Sequence, residues 1–485
     1  MENGRDIIHV RLLPLILLLG LGGITFSLIS INWLLMVCII LLPLLFVVTI
    51  ESLRYPIIFF LLIYTLNYYL LGMNRYVIIG GVSVIMDILM VILFVLIFIH
   101  SALHDNIRWK AAYNLLTVGS FVWLLYCLAE VINPSGMFEP WLMSRGLMIN
   151  GFIVSLATAL LCEKYKIVKR LIFLLSIFTL TAIIKALMQK YIGFDSAEQY
   201  WLQSSEAYKT HLLSSGTRYF SFFTDAGNFG SNMGCAGILF GITALYVKSI
   251  PSKIYYAIIS IGGIYAMFLS GTRGAMIVPL GGLLLYTIIS QNIKACLTGG
   301  ILLIGLYIFF AFTSIGEGNA QIKRMRTAFK PSEDASYLVR KNNQKKLAEH
   351  LKNKPFGEGI GLSGVENRKY SVRLTTVTPN DSTYVKIWVE TGIVGAVLYL
   401  GLLFLTIGKG AWILMFKIKD AELRGRLTGI LCGIFGMLLS AYGNAFWTQY
   451  PTAIIAFTGL TLVLKAEHFD REISESKQIT PINNI

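Results

Sequence analysis

The sequence contains little charge for its length. Only 14% of its 485 residues are Asp, Glu, Lys or Arg, whereas 55% are apolar. Soluble domains contain roughly 25% charged and 45–50% apolar residues, so a water-soluble core cannot bury this excess. The mean hydropathy of +0.68 indicates the same. The composition therefore excludes a soluble globular protein and predicts a chain surrounded by lipid.

The sequence also lacks the patterns of disulfide and metal sites. It has no Cys-x-x-Cys pair, and its six cysteines all lie in or at the end of apolar runs. We expect them to pack as small apolar side chains. Since no His, Cys and Asp cluster has metal-ligand spacing, we expect no metal and no cofactor. The net charge of +15 comes from loops between apolar runs, which argues against a nucleic acid partner.

Apolar runs of membrane-spanning length recur along the chain. A helix needs roughly 20 such residues to cross the hydrocarbon layer, so the runs predict about fourteen spans. They are continuous rather than alternating, which favours helices over strands. The predicted fold class is all-α, a polytopic membrane helix bundle with about 12–14 transmembrane helices and one large outer loop containing short helices. The runs lie near residues 12–29, 33–50, 56–72, 79–99, 112–132, 146–162, 168–190, 228–247, 253–270, 274–290, 294–313, 384–407, 427–443 and 447–465.

The distribution of Lys and Arg predicts the orientation of the spans. Short loops rich in these residues alternate with loops that contain few, and the rich loops face the cytoplasm. Both termini are then cytoplasmic. Residues 1–313 are predicted to hold the first eleven spans, with an outer loop at 191–227. Residues 314–383 form the large outer loop, with thirteen Lys or Arg and seven Asp or Glu. Residues 384–465 hold the last three spans, and 466–485 form a polar, disordered cytoplasmic tail.

Four polar motifs fall on the outer side of this topology. Residues 217–230 read Thr-Arg-Tyr-Phe-Ser-Phe-Phe-Thr-Asp-Ala-Gly-Asn-Phe-Gly, and residues 269–275 read Leu-Ser-Gly-Thr-Arg-Gly-Ala. Residues 353–361 read Asn-Lys-Pro-Phe-Gly-Glu-Gly-Ile-Gly, and residues 378–384 read Thr-Pro-Asn-Asp-Ser-Thr-Tyr. Polar groups that collect on one side of a membrane protein are candidates for a functional site.

Two arginines in these motifs suit a phosphate ligand. A guanidinium is planar, always charged and matches phosphate oxygens with paired donors. Arg218 and Arg273 are therefore predicted to bind a diphosphate, the alternative being that each anchors the protein at lipid headgroups. Asp381 is the first candidate for a general base, followed by Asp225 and Glu358. The alternatives are a helix cap for Asp225 and a solvated loop acid for Glu358. The glycines at 357, 359 and 361 predict a turn that lets backbone approach a ligand.

In this order and spacing, the four motifs resemble those of the O-antigen ligase and polymerase superfamily, over roughly residues 210–407. The first resembles the family's arginine block, which ends in Asp-Pro-Asn, and the second its Ser-x-Ser-Arg-Gly block. The third is similar to its Asn-Pro-x-Gly-x-Gly stretch, and the fourth to the block that closes the large periplasmic loop. Ligase members carry a histidine in that last block, whereas this sequence reads Pro-Asn-Asp at residues 379–381.

The resemblance implies a glycosyltransferase of the bacterial inner membrane. Its donor would be a glycan linked by diphosphate to a polyprenyl lipid on the periplasmic face. The missing histidine favours a polymerase of O-antigen, capsule or exopolysaccharide units over a ligase that transfers glycan to lipid A-core or protein. A third alternative is a flippase or transporter of the same lipid-linked glycan. Expected partners are the lipid-linked glycan, membrane lipid, a chain-length regulator and a flippase.

Overall fold

The structure is a computed structural model that describes residues 50–76, 82–104, 107–213, 216–291, 293–316, 320–326, 335–380 and 382–479, with Val47, Gly318 and Phe329 as single positions. The first eight helices are α1 Pro56–Met73, α2 Val82–Leu103, α3 Leu115–Ala129, α4 Phe138–Met143, α5 Arg145–Leu161, α6 Tyr165–Tyr191, α7 Ser196–Ser204 and α8 Tyr208–His211. A two-residue hairpin follows, with β1 Leu212–Leu213 antiparallel to β2 Gly216–Thr217.

The remaining helices lie before, within and after the large loop along the chain. They are α9 Ala226–Tyr246, α10 Ile250–Leu269, α11 Ile277–Ile289, α12 Ile293–Phe312, α13 Ala320–Arg326, α14 Ala335–Leu351, α15 Leu374–Val377, α16 Thr383–Phe416, α17 Ala421–Ser440, α18 Thr452–Leu464 and α19 Ala466–Ile479. Short 3-10 turns lie at Trp109–Ala112, Glu130–Ile132, Arg273–Met276 and Val365–Asn367.

The predicted fold class is confirmed. Within the described ranges, eight helices are long and apolar enough to cross a membrane, or nine if the bent pair α18 and α19 forms one span. The predicted runs at 12–29 and 33–50 lie almost wholly outside those ranges, and each of the other twelve contains a helix. Two of these helices are shorter apolar segments, Pro56–Gly72 and Arg273–Ile289.

The chain divides into two compact units. One comprises residues 1–63 and 89–107, and the other residues 64–88 and 108–485. In the first unit, Nδ1 of His100 lies 3.2 Å from the carbonyl oxygen of Leu53. In the second, α9 packs against α10 and α17, and α11 packs against α17. A Cβ at Gly436 would meet the Val278 carbonyl oxygen at 2.2 Å, so glycine permits this close helix contact.

The predicted disorder of the tail is wrong for residues 466–479, which form helix α19, and residues 480–485 lie outside the described ranges. Phe469 on this helix is completely buried. The carboxylate of Asp470 accepts the backbone N–H of Asp420 at 2.8 Å, and that of Glu472 accepts the N–H of Tyr165 at 2.8 Å. These contacts tie the polar helix to two neighbouring interhelical connections, and composition alone does not reveal them.

Helix α16 is longer than one membrane crossing. Its 34 residues would extend about 51 Å at 1.5 Å per residue, whereas the hydrocarbon layer is about 30 Å thick. The helix is interrupted at Gly392, whose φ of 65° and ψ of −170° are not helical. Residues 393–416 are long enough to cross a membrane, which leaves residues 383–391 as a separate segment next to the large loop.

Candidate functional site

The Ser-Gly-Thr-Arg-Gly motif forms a tight turn between α10 and α11. Gly271 has a φ of +56°, which favours glycine, and a Cβ there would lie 3.1 Å from Cγ of Arg218. The hydroxyl of Thr272 donates to the Ala226 carbonyl at the start of α9, at 3.0 Å. On the other side, the hydroxyl of Ser440 donates to the Gly274 carbonyl at 2.8 Å. The turn that carries Arg273 is therefore held between α9 and α17.

Arg218 is bound to this same turn. Its Nη2 donates to the hydroxyl of Thr272 at 2.8 Å, and its Nη1 donates to the Thr210 carbonyl at 3.0 Å. Its backbone N–H donates to the His211 carbonyl at 2.8 Å. The structure thus brings the first two motifs together through a direct side-chain contact. Arg218 is thus hydrogen-bonded to the protein, and both Arg218 and Arg273 are partly buried. A headgroup anchor, which was the alternative, would instead extend into the lipid interface.

The large loop adds two arginines that the sequence did not single out. Nε of Arg324, at the end of α13, donates to the Gly271 carbonyl at 2.8 Å. Burial lowers the pKa of Arg218, the charge of Asp225 raises it, and the charges of Arg273 and Arg340 lower it further. Arg218 therefore lies within electrostatic reach of two further arginines. We call Arg218, Arg273, Arg324 and Arg340 the arginine cluster; guanidinium groups in this arrangement suit an anionic ligand.

Asp225 occupies the N-cap of α9. Its Oδ1 accepts the backbone N–H groups of Gly227 at 2.6 Å and Asn228 at 3.0 Å. A carboxylate in this position satisfies donors that a helix start leaves unpaired. The helix-cap alternative describes this geometry, and Asp225 is also the acid whose charge acts on Arg218. Its role as a base remains a prediction.

The segment between Arg218 and Asp225 is fixed by a buried arginine that the sequence did not indicate. Arg75, which is 8% exposed, donates to the carbonyl oxygens of Ser221 at 3.1 Å and Thr224 at 3.0 Å, and also to that of Phe223. Its guanidinium lies 4.1 Å from the ring centroid of Trp201. Burial lowers the pKa of Arg75 to about 10, so it remains protonated at neutral pH. Arg75 therefore positions the chain that carries the site.

His211 is buried next to this segment. It is 4% exposed, and its Nδ1 lies 2.9 Å from the Ala207 carbonyl oxygen. Its Nε2 accepts the backbone N–H of Ala226 at 3.3 Å. Burial lowers its pKa to about 4. The neutral ring therefore supports the start of α9.

The end of α17 is where the loop-closing motif meets the first two motifs. The N–H of Thr383 donates to the Ala441 carbonyl at 2.9 Å, and its hydroxyl donates to the Asn444 carbonyl at 3.1 Å. A Cβ at Gly227 would lie 1.6 Å from Nδ2 of Asn444, so α9 passes directly beside it. The only sequence signal for this segment was a group of polar residues, Ser440, Asn444 and Gln449, within an apolar region.

Glu358 lies apart from the arginine cluster and is buried, not solvated. Its Oε2 lies 2.8 Å from Nε2 of His350 and 2.7 Å from Nζ of Lys354, and its Oε1 lies 3.0 Å from Nη1 of Arg373. Burial would raise its pKa, but the hydrogen bonds from Lys354 and His350 outweigh that effect and lower it. A carboxylate that is paired with two cations and an imidazole accepts a proton poorly. This geometry supports a structural role in the loop.

The three glycines of the third motif bring the loop against the protein's own backbone. Gly357, Gly359 and Gly361 all have positive φ values, of 76°, 111° and 79°. A Cβ at Gly357 would lie 2.5 Å from the Gly392 nitrogen, and one at Gly361 would lie 2.3 Å from the Pro140 carbonyl oxygen. The loop therefore docks into the break in α16, which explains the glycines without a ligand.

We predict that Gly392→Ala detaches this loop. A Cβ there would lie 1.9 Å from the Pro355 carbonyl oxygen, and the backbone conformation is one that only glycine readily adopts. Strain and overpacking together should cost about 3 kcal/mol, which thermal unfolding and protease sensitivity of the loop would measure. Gly401→Ala is the matched control, since nothing lies within 4 Å of a Cβ there. Equal stability of the two variants would contradict the proposed docking.

Asp381 lies outside the described residues, but its neighbours are placed. The amide Nδ2 of Asn380 donates to the hydroxyl of Ser363 at 2.5 Å, and Asn380 is 8% exposed. Asn380 is therefore a structural link between the loop-closing motif and the rest of the loop.

Part of the chain is similar to a known protein family. Residues 257–400 match a family model described as O-Antigen ligase. The match includes the turn with Arg273, the large loop and the first part of α16, and it confirms the resemblance to the O-antigen ligase and polymerase superfamily. Arg218 and Asp225 precede the matched residues, so their place beside the matched segment rests on the hydrogen bonds above. No curated protein matches the chain.

Proposed function

We propose that this protein is a polymerase that joins oligosaccharide repeat units carried on a polyprenyl diphosphate. The observation that carries the proposal is the arginine cluster, which the fold assembles from the segment before α9, the α10–α11 turn and the large loop. The glycan is an O-antigen, a capsule or an exopolysaccharide. A diphosphate has oxygens that suit the paired donors of guanidinium groups, and the apolar helices suit the lipid part of the donor.

The cluster explains how such a donor would react. The oxygen of an acceptor hydroxyl attacks the anomeric carbon of the donor sugar, and the bond from this carbon to the diphosphate oxygen breaks. The lipid diphosphate leaves with the electron pair, while Arg218 and Arg273 stabilise its charge. No nucleotide sugar is required.

The acceptor hydroxyl must also lose its proton, and Asp381 remains our first choice for the base. Its chain neighbours support this choice, because Thr383 is bound to the Ala441 carbonyl. Ser440, the residue before Ala441, is bound to the turn that carries Arg273. Glu358 is the least suitable base of the three acids, since Lys354, Arg373 and His350 already contact it.

The absence of a histidine from residues 379–381 favours polymerisation over ligation. A ligase of this superfamily is expected to present a histidine in the loop-closing block, where this sequence reads Pro-Asn-Asp. We place the protein in the bacterial inner membrane, with the arginine cluster on the periplasmic face and both termini in the cytoplasm. This orientation follows from the Lys and Arg of the short loops.

A gel of glycans from a deletion strain tests the proposal. Loss of a polymerase leaves single repeat units on the final acceptor, and the long ladder disappears. We expect this pattern, together with its reversal when the wild-type chain is supplied. Long polymer that remains on the polyprenyl carrier would instead identify a ligase and would contradict the proposed polymerase.

A further inference from the structure

A cavity lies beside the large loop, and none of its lining residues belongs to the arginine cluster. Its volume is about 530 Å³. One wall is the turn that follows α3, and the other is the Asn-Lys-Pro-Phe-Gly segment of the loop. The side chains that matter for its chemistry are Tyr126, Glu130, Asn133, Asn353, Lys354 and Phe356. We call this cavity the loop groove.

The loop groove combines apolar and hydrogen-bonding groups. The side chain of Phe356 is 52% exposed, whereas Glu130 is only 6% exposed. Nδ2 of Asn133 donates to Oε2 of Glu130 at 2.8 Å, which holds the carboxylate at the wall. An aromatic face, a carboxylate and two amides match the apolar C–H faces and the hydroxyls of a sugar. Small-molecule sites typically have this composition, a mostly apolar wall with a few placed polar groups.

The walls of the groove are held in place before any ligand binds. Nδ2 of Asn133 donates to the Phe356 carbonyl at 3.1 Å, so the two walls are joined directly. Arg373 joins them again by donating to the Ser135 carbonyl at 2.5 Å, while it also binds Glu358. The hydroxyl of Tyr126 donates to the Thr391 carbonyl at 2.8 Å. A preformed site loses little conformational entropy when it binds.

The distance between the groove and the arginine cluster follows from two contacts of α16. Thr383 contacts the end of α17 beside the cluster, and Gly357 of the groove packs against Gly392. These two positions on α16 are nine residues apart, or about 14 Å along a helix. A short oligosaccharide bridges such a distance. A ligand with its reacting sugar at the cluster could therefore place a more distant sugar in the groove.

We propose that the loop groove is a subsite for a sugar of the glycan, remote from the bond that is made. The assignment of a glycan as the ligand rests on the proposed function. In this subsite, Phe356 packs against the face of the sugar ring, and Glu130 and Asn353 accept and donate hydrogen bonds to its hydroxyls. The subsite selects the repeat unit by its sugar composition and does not contact the diphosphate.

Binding of a lipid-free oligosaccharide to the purified full-length protein tests the subsite. The probe is the repeat unit released by mild acid from the lipid carrier of the host strain, measured by saturation-transfer NMR. We expect wild-type protein to bind it, and Phe356→Ala and Asn353→Ala each to weaken binding at least tenfold. Val372→Ala is the matched control, because this side chain of the same loop is 74% exposed and lies outside the groove.

The outcomes separate this inference from the proposed function. Absent binding, or equal binding by the wild type and both groove variants, would overturn the subsite whatever the arginine variants do. Arg273→Ala should still bind the released oligosaccharide, since this probe has no diphosphate. Two variants of exposed side chains are used because neither truncation removes a buried contact. Equal thermal unfolding temperatures would show that weaker binding reflects the groove and not misfolding.

Discussion

Arg273→Ala is expected to lower polymer formation at least a hundredfold while the protein still inserts into the membrane. A preorganised donor aimed at developing charge is typically worth 10² to 10³ in rate. Arg273 lies on a turn fixed between α9 and α17 through Thr272 and Ser440, so the neighbouring structure should survive the truncation. Arg218→Ala should have an effect of similar size and should also remove the hydrogen bond from the guanidinium to the hydroxyl of Thr272.

The measurement is the length distribution of surface glycan in a deletion strain that expresses each variant at equal membrane abundance. Arg368→Ala is a matched control, because this arginine is exposed on the same large loop. It should support a normal ladder. A wild-type ladder from both Arg218→Ala and Arg273→Ala would remove the diphosphate site.

Asp381→Asn should lower activity at least a hundredfold, which is the loss expected when a general base is removed. The informative comparison is Asp225→Asn. Asparagine caps a helix about as well as aspartate, so this variant keeps the start of α9 and removes only the charge. We expect Asp225→Asn to retain most of its activity. The initial rate of polymer formation by purified protein, measured across pH, checks both expectations.

The two variants also assign the base if the expectation fails. Near-normal turnover by Asp381→Asn, with a hundredfold loss in Asp225→Asn, would transfer the role to Asp225. Glu358→Gln is a further comparison, since it should weaken the loop through His350, Lys354 and Arg373. Its effect should appear in thermal unfolding and not in the pH dependence of the rate.

The sequence predicted the helices well because lipid imposes a simple local rule. Continuous apolar runs must form helices in a membrane, and the described structure has a helix in each run that it covers. The pairing of Arg218 with the turn of Arg273 was also predictable. Both motifs fall on the same side of the topology, and guanidinium chemistry gives them a shared ligand.

The rest of the site could not be predicted, because it depends on contacts between distant segments. Arg75 binds carbonyl oxygens about 150 positions away along the chain, and its surroundings have no local pattern. Arg324 was one of thirteen cations in the large loop, and only its hydrogen bond to Gly271 distinguishes it. Glu358 illustrates the reverse case, because the sequence offered it as a candidate base or a solvated loop acid. The fold buries it against His350, Lys354 and Arg373.

The most direct test of the central claim is reconstitution of the purified protein in liposomes with polyprenyl-diphosphate-linked repeat units as the only substrate. The proposed polymerase should convert single units into a ladder that remains attached to the lipid diphosphate, without nucleotide sugar. The ladder should be absent with Arg273→Ala. Unchanged single units with the wild-type protein, or a ladder that forms equally with Arg273→Ala, would contradict the account.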